Sequence, residues 1–425
     1  MFEKKTRTER FIQFGSGGFL RGFADWMIQK VNDTTDFAGS VVVVQSTATG
    51  QCDKLTAQNG CYTHIIRDEA GSERSIIDVI SRCIKARQDP EGFLALAQVP
   101  TMRYVISNTT EAGIVFDARD KATDAPATSF PGKVTQLLKR RFDLGLPGFV
   151  FLPCELIDRN GQQLKDCILR YADHWGFGPD FKTWVQQENT FCNTLVDRIN
   201  TGFPEDEVLP YADSLANASE RYHLWVIETD LDLEAELPFQ KAGLNVILTR
   251  DGLQDYHTRK VRILNAAHTA MTPYGLLQGF DSVKACIDDE AMAGFVRKCV
   301  FEEIIPTLDL PRQELESYAN SVFSRFSNPY VKHMLSAISL NSVSKFRVRL
   351  LPSILDYKER FGTYPPTLLF AFRQLLEFYR NGNPKDDPQI IQFIRDHADQ
   401  EVLASTQLWG ADLSGLYEEL CHAHP

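Results

Sequence analysis

An apolar run that ends in a glycine-rich turn and leads straight into a helix restricts a chain to few folds. Here Phe11-Ile12-Gln13-Phe14 is followed at once by Gly15-Ser16-Gly17-Gly18, and Phe19–Val31 then sets Phe19, Phe23, Trp26, Met27 and Lys30 at helical spacing. Val41–Val44 is the next apolar run, and strand, helix, strand at this scale is a βαβ unit. Tyr104–Ser107, Phe149–Leu152, Leu224–Glu228 and Asn245–Leu248 continue the series. Short, continuous apolar runs of this kind suit strands buried on both faces of a parallel sheet. Thr63–Ile66 and Ser75–Val79 read as two further strands forming a hairpin.

The texture changes after about Tyr256. Long apolar-periodic segments replace the strand runs: Tyr256–Gly279, Met292–Ile305, Val331–Leu340, Leu368–Tyr379 and Pro388–Leu403. A chain of 425 residues is also too long for one core. The expected fold is α/β: an N-terminal Rossmann-type, dinucleotide-binding domain over residues 1–255 and a mainly α-helical C-terminal domain over residues 256–425.

A net charge of -11 argues against a nucleic-acid surface, which needs a basic patch. A local cluster of Lys and Arg can still hold a small anion inside an acidic protein. The nine cysteines are scattered without C-x-x-C spacing, which suits reduced thiols rather than a zinc or redox site. Met1–Arg10 is charged and lacks an apolar signal-peptide core, and no run reaches membrane-spanning length. The expectation is a cytoplasmic protein with no nucleic-acid and no membrane partner.

Candidate cofactor residues come from the turn. Gly15 allows its tight bend, Gly17 lets backbone approach a phosphate, and Ser16, Gly18 and Phe19 open the helix whose N–H groups face an anion. Arg21 is a candidate for a further phosphate contact, although Leu20 stands where the dinucleotide fingerprint has its third glycine. A glycine turn with no ligand is the plainer alternative. The second strand ends in Gln45-Ser46-Thr47, with neither an acid for the ribose hydroxyls nor an adjacent Arg for a 2′-phosphate. The expected cofactor is NAD, its ribose met by amide and hydroxyl groups such as Gln45. Asn108 and Thr109 follow the strand at Tyr104–Ser107, in a loop that either borders the nicotinamide or is an ordinary polar connection.

Lys260, Asn265 and His268 are the candidate catalytic residues. On an α-helix at about 100° per residue they lie near 0°, 140° and 80°, on one polar face. A carbonyl reductase needs a proton donor and hydrogen-bond donors to the developing oxyanion, and Lys, Asn and His supply both without a metal. Spacing alone fits a solvated helix face as well.

Lys-x4-Asn-x2-His, joined to the Gly15–Arg21 turn, resembles the long-chain polyol-specific dehydrogenases, the mannitol dehydrogenase family. Ser107–Gly113, Pro153–Gly161, Asn189–Ile199, Trp225–Glu228, Ala242–Asn245 and Asn341–Lys345 extend the likeness, closest to the branch that interconverts tagaturonate and altronate. The resemblance implies a Rossmann domain, a helical substrate and catalytic domain, a site between them, NAD and no metal. It makes Lys260 the general acid/base, with Asn265 and His268 polarising the substrate oxygen, and it puts Asn193 and Asp197 beside the substrate. Asp197-Arg198 is equally readable as a structural ion pair.

The partner it implies is a small sugar acid, whose carboxylate needs a cation. Among Arg325, Lys345, Arg347 and Arg349, Lys345 is favoured for its motif. His333, His422 and His424 read as structural or solvent-exposed. Leu156 stands after Cys154-Glu155 where the mannitol branch has Asn after Cys-Asp, which argues against a simple mannitol dehydrogenase. The alternatives are fructuronate or mannitol-type reduction, and a non-catalytic regulator, which would not require a proton relay.

Overall fold

Six parallel strands make one sheet in the computed structural model, which describes residues 4–109 and 113–424. Their order is Ile80–Lys85, Gly39–Gln45, Thr8–Phe14, Tyr104–Ser107, Val150–Pro153, Thr190–Phe191. Along the chain this is the 3-2-1-4-5-6 order of dinucleotide-binding sheets, which reverses beside the first strand and leaves a crevice at the carboxyl ends there. The middle of the Ser107–Gly113 stretch, residues 110–112, lies outside the described residues.

Alternation within the runs explains the two covered faces. Phe11, Val41, Val43, Tyr104, Ile106, Val150 and Leu152 pack on one side with Phe23, Met27 and Val31. Ile12, Phe14, Val42, Val44, Val105, Phe149 and Phe151 pack on the other with Val134, Leu138, Leu164 and Ile168 from the helices Phe130–Asp143 and Asn160–His174. Both faces are buried, so the strands read as unbroken apolar runs.

Several expectations are corrected. The first helix is two pieces, Gly18–Gly22 and Ala24–Thr34, broken at Phe23. The third strand of the order, Ile80–Lys85, escaped the sequence reading because it is an edge strand with half-buried or exposed Ser81, Arg82 and Lys85. Leu224–Glu228 and Val246–Thr249 are strands, but they belong to a separate three-stranded sheet with Asn193–Asp197, in which Leu224–Glu228 pairs antiparallel with Asn193–Asp197. The hairpin is present as Tyr62–Asp68 and Gly71–Ile77, and Asn217–Ser219 and Asn200–Gly202 extend it.

The chain divides into two compact units, Met1–Leu253 and Gln254–Pro425. Among the described residues the second has no strand, only isolated bridges. Its centre is Ala266–Leu277 packed on Pro366–Asn381, where the Tyr274 and Phe370 rings meet edge-on at 5.1 Å. The Tyr256–Gly279 segment is not one α-helix: Leu253–Arg259 and Ala266–Leu277 flank a π-helical turn at Lys260–Asn265. Of Val331–Leu340 only Leu335–Ile338 is helical, whereas Arg312–Phe326, Ser342–Arg349 and Leu351–Phe361 are helices the apolar pattern left unmarked. Among the described residues, no helix is long and apolar enough to cross a membrane.

Candidate active site

Gly15 has φ +125°, and its N–H donates to the Val44 carbonyl at 3.3 Å. A Cβ there would lie 3.2 Å from Leu20 Cδ1 and 3.5 Å from the Asn108 carbonyl, so only glycine fits without strain. Gly17 is extended and caps the helix, and a Cβ on it would meet open space. The Gly18 carbonyl accepts from Asn200 Nδ2 at 2.5 Å and Asn217 Nδ2 at 2.9 Å. These two asparagines, remote in sequence and absent from the sequence reading, seat the turn on its neighbouring sheet. Phe19 stacks on Phe23 at 5.0 Å.

Three candidate cofactor residues have prior commitments. Ser16 Oγ accepts from the Gln51 N–H at 3.0 Å. Gln45 is buried, with Oε1 accepting from the Cys52 N–H and Nε2 donating to the Thr47 carbonyl, so its amide holds its own loop. The buried Arg21 guanidinium donates to the carbonyls of Ser16 and Leu215 and lies over the Tyr62 ring. Arg21, a candidate phosphate contact, thus also braces the turn.

At the adjoining strand end a buried carboxylate organises the loop. Glu155 accepts from the Thr109 N–H at 2.9 Å, the Thr109 hydroxyl at 3.0 Å and the Ser107 hydroxyl at 3.0 Å. Asn108 Nδ2 donates to the Cys154 carbonyl at 2.7 Å. Burial raises the Glu155 pKa, against the pull of these donors. The parallel pairing of Ser107 with Pro153 makes the two loops neighbours, which sequence alone did not reveal.

Beneath the turn, Asp25 is completely buried beside Arg21 and accepts at Oδ2 from Gln13 Nε2 at 3.4 Å and Tyr62 at 3.3 Å. Burial pushes its pKa up to about 7. The folded chain therefore keeps a proton that an unfolded Asp loses near pH ~3.9, and stability is lost as pH rises from there through about 7. Relative to the parent, Asp25→Asn is expected to gain up to about 4 kcal/mol at pH ~8 and little at pH ~4. An equal shift in denaturant midpoint at both pH values would contradict this.

In the second unit the π-helical turn begins at Lys260 and ends at Asn265. Its i→i+5 bonding turns Asn265 back toward Lys260, so the α-helical estimate of their separation does not hold; such turns recur at functional sites. Ile263 and Leu264 face the core while Lys260 and Asn265 are half-buried. Arg262 is turned away, bonded to Ser353, Thr307 and Asp356, and lines a cavity of about 540 Å³ with Asp255, Asp309 and Arg360.

His268 is buried, and its Nε2 has no hydrogen-bond partner among the described residues. Its ring packs on Phe326 at 4.5 Å and edge-on to His333 at 4.7 Å. Burial, then His333, Arg325, Arg349 and Lys345, hold its pKa well below the usual histidine value, so the imidazole is neutral. His333 thus belongs beside the candidate site, against the sequence reading that set it aside.

Lys345 Nζ donates to the Ile338 carbonyl at 2.8 Å, and burial followed by Arg349 lowers its pKa. The other two substrate candidates lie in the first unit. Asn193 is buried with both amide atoms used, accepting from the Gln162 N–H and donating to Glu228. Asp197, also buried, ends the same strand, and Arg198 bonds the carbonyls of Glu220 and Gly22. Among the described residues no group of three His, Cys, Asp or Glu is placed to hold a metal.

Residues 9–241 match the mannitol dehydrogenase Rossmann domain and residues 252–418 the mannitol dehydrogenase C-terminal domain. The chain belongs to the mannitol dehydrogenase family. The altronate oxidoreductase of Bacillus subtilis is 43% identical to this family member over 431 residues, spanning 96% of this chain and 89% of the relative. That of Escherichia coli is 44% identical over 451 residues, spanning 97% and 93%. This mannitol dehydrogenase family member is an oxidoreductase. Its fold is also that of substrate-free D-sorbitol dehydrogenase, with a TM-score of 0.86 at 24% identity, covering 98% of this chain and 92% of that one. Pseudomonas fluorescens mannitol 2-dehydrogenase, solved with NAD and D-mannitol, follows at a TM-score of 0.75 and 21% identity, covering 98% and 90%.

Proposed function

We propose that this oxidoreductase is NAD-linked and interconverts D-altronate and D-tagaturonate, working physiologically as the tagaturonate reductase. The observation that carries the substrate class is a neutral, buried His268, one turn from Asn265, whose strongest electrostatic neighbours include three cationic side chains. A sugar acid complements such a site better than a neutral polyol. The relatives named for altronate then select among sugar acids.

The residues at the crevice fit a dinucleotide: positive-φ Gly15, the open side of Gly17, and the strand-end loop at Ser107–Thr109 all stand where the strand order reverses. NAD is favoured over its phosphorylated form because Lys85, paired with Gln45 in the sheet, is neutralised by Asp53 at 2.5 Å. Bound there, the cofactor supplies or accepts the hydride. Lys260 as the ammonium donates a proton to the reduced carbonyl oxygen. Asn265 and neutral His268 donate hydrogen bonds to that oxygen as its charge grows. In the oxidative direction the neutral Lys260 amine removes the hydroxyl proton.

Because these side chains provide both the proton and the oxyanion contacts, altronate oxidation with NAD is expected to survive exhaustive chelation. Activity lost with EDTA and restored by zinc or manganese would overturn the metal-independent mechanism; no NAD reduction with altronate would overturn the substrate assignment.

A further inference from the structure

Among the cations around His268, Arg349 is only loosely committed to the protein. It is half-buried at the end of the helix Ser342–Arg349. Among the described residues its guanidinium makes one hydrogen bond, NH1 to Thr269 Oγ1 at a long 3.4 Å, and no carboxylate pairs with it. A guanidinium has five N–H donors in a planar fork. Leaving most of them without protein partners, in a half-buried place near the Lys345 ammonium, is unfavourable unless an anion completes the group. Its neighbours are less suited. Lys345 has its ammonium on the Ile338 carbonyl, and His333 is held toward its neutral form by burial.

Arg349 is also tied to the chemistry. Thr269, which receives its single bond, donates at 2.8 Å to the carbonyl of Asn265, and Thr269 follows His268 directly. The buried His268 Nε2 without a partner is a second sign that a polar ligand belongs here.

We propose that Arg349 is the carboxylate subsite of this enzyme, binding the acid end of a sugar acid through its forked guanidinium, and so is the residue that selects acids over neutral polyols. This rests on the reading of the substrate as a sugar acid and names the group that recognises it. Lys345, favoured from sequence, becomes a flanking charge. A fork satisfies both carboxylate oxygens, which a lysine ammonium does not do in a fixed geometry.

The test compares D-altronate with D-altritol, the alcohol that carries CH2OH in place of the carboxylate. Binding of each to the NADH-loaded protein is measured by calorimetry in the parent, Arg349→Gln and Arg349→Lys, and turnover of altronate is measured separately. Arg349→Gln is expected to weaken altronate roughly 10- to 150-fold and leave altritol unchanged. Arg349→Lys should recover only part of the loss. Equal weakening of both ligands would assign Arg349 a merely structural role through Thr269 and overturn the proposal, as would an unchanged altronate affinity. A parent that shows no preference for the acid overturns it too. Binding altronate through Arg349 without oxidising it would overturn the functional reading and leave the subsite standing.

Discussion

Lys260→Ala should lower kcat by roughly 100-fold or more in both directions while NADH binds as in the parent. The residue opens the π-helical turn whose far end is Asn265, so in the proposed mechanism removing its side chain deletes the proton donor and leaves the oxyanion contacts in place. Small primary amines added to the variant should restore part of the rate, because the missing function is a proton carrier rather than a shape. The pH profiles carry the same signature. Altronate oxidation needs the neutral amine and should rise with pH, whereas tagaturonate reduction needs the ammonium and should fall over the same range. The variant should lose both slopes. A near-parental kcat with unchanged profiles would remove Lys260 from the mechanism.

Gly15→Ala should weaken NADH roughly 5- to 150-fold, from a strain of about 1–3 kcal/mol at a backbone angle that L-residues avoid. At φ +125° the new methyl also crowds Leu20 Cδ1 at 3.2 Å, so the start of the helix must give by a few tenths of an ångström. Thermal stability should fall with it. Gly17→Ala makes the control, since its φ of -67° suits alanine and its Cβ meets nothing within 4 Å. That variant should melt like the parent and still lose NADH affinity, because the methyl occupies the side open to the cofactor. Gly15→Ala with parental NADH affinity would show that this turn is not the cofactor's cradle.

Much of the fold was legible because burial on both faces leaves a mark in the sequence. Val41–Val44 and Tyr104–Ser107 are fully buried and are strands in the parallel sheet as expected. Ile80–Lys85 carries polar residues at the sheet's edge and was missed for that reason. The membership of Leu224–Glu228 in a second sheet is decided by its pairing with Asn193–Asp197, and apolar content is blind to pairing.

The candidate site was legible in residue type and less so in commitment. Lys260, Asn265 and His268 were visible as a chemical set, but the π-helical turn that relates the first two depends on backbone bonding and not on composition. Arg21 stood out as a candidate phosphate contact, but its bond to the Leu215 carbonyl, nearly two hundred residues away, was not legible. Glu155 and His333 acquire their places only through tertiary neighbours, Thr109 and His268. The motif favours Lys345 over Arg349 in sequence; what the sequence does not show is that the Lys345 ammonium already has a firm protein partner, whereas Arg349 has only a long bond to Thr269.

The most direct measurement is the initial rate of NADH oxidation by the purified protein with D-tagaturonate, D-fructuronate and D-fructose side by side, repeated with NADPH. The account predicts the largest kcat/KM for tagaturonate with NADH, a smaller value for fructuronate, and the smallest for fructose, which lacks the carboxylate. Preference for fructose, or no turnover of any uronate with NADH, would contradict it.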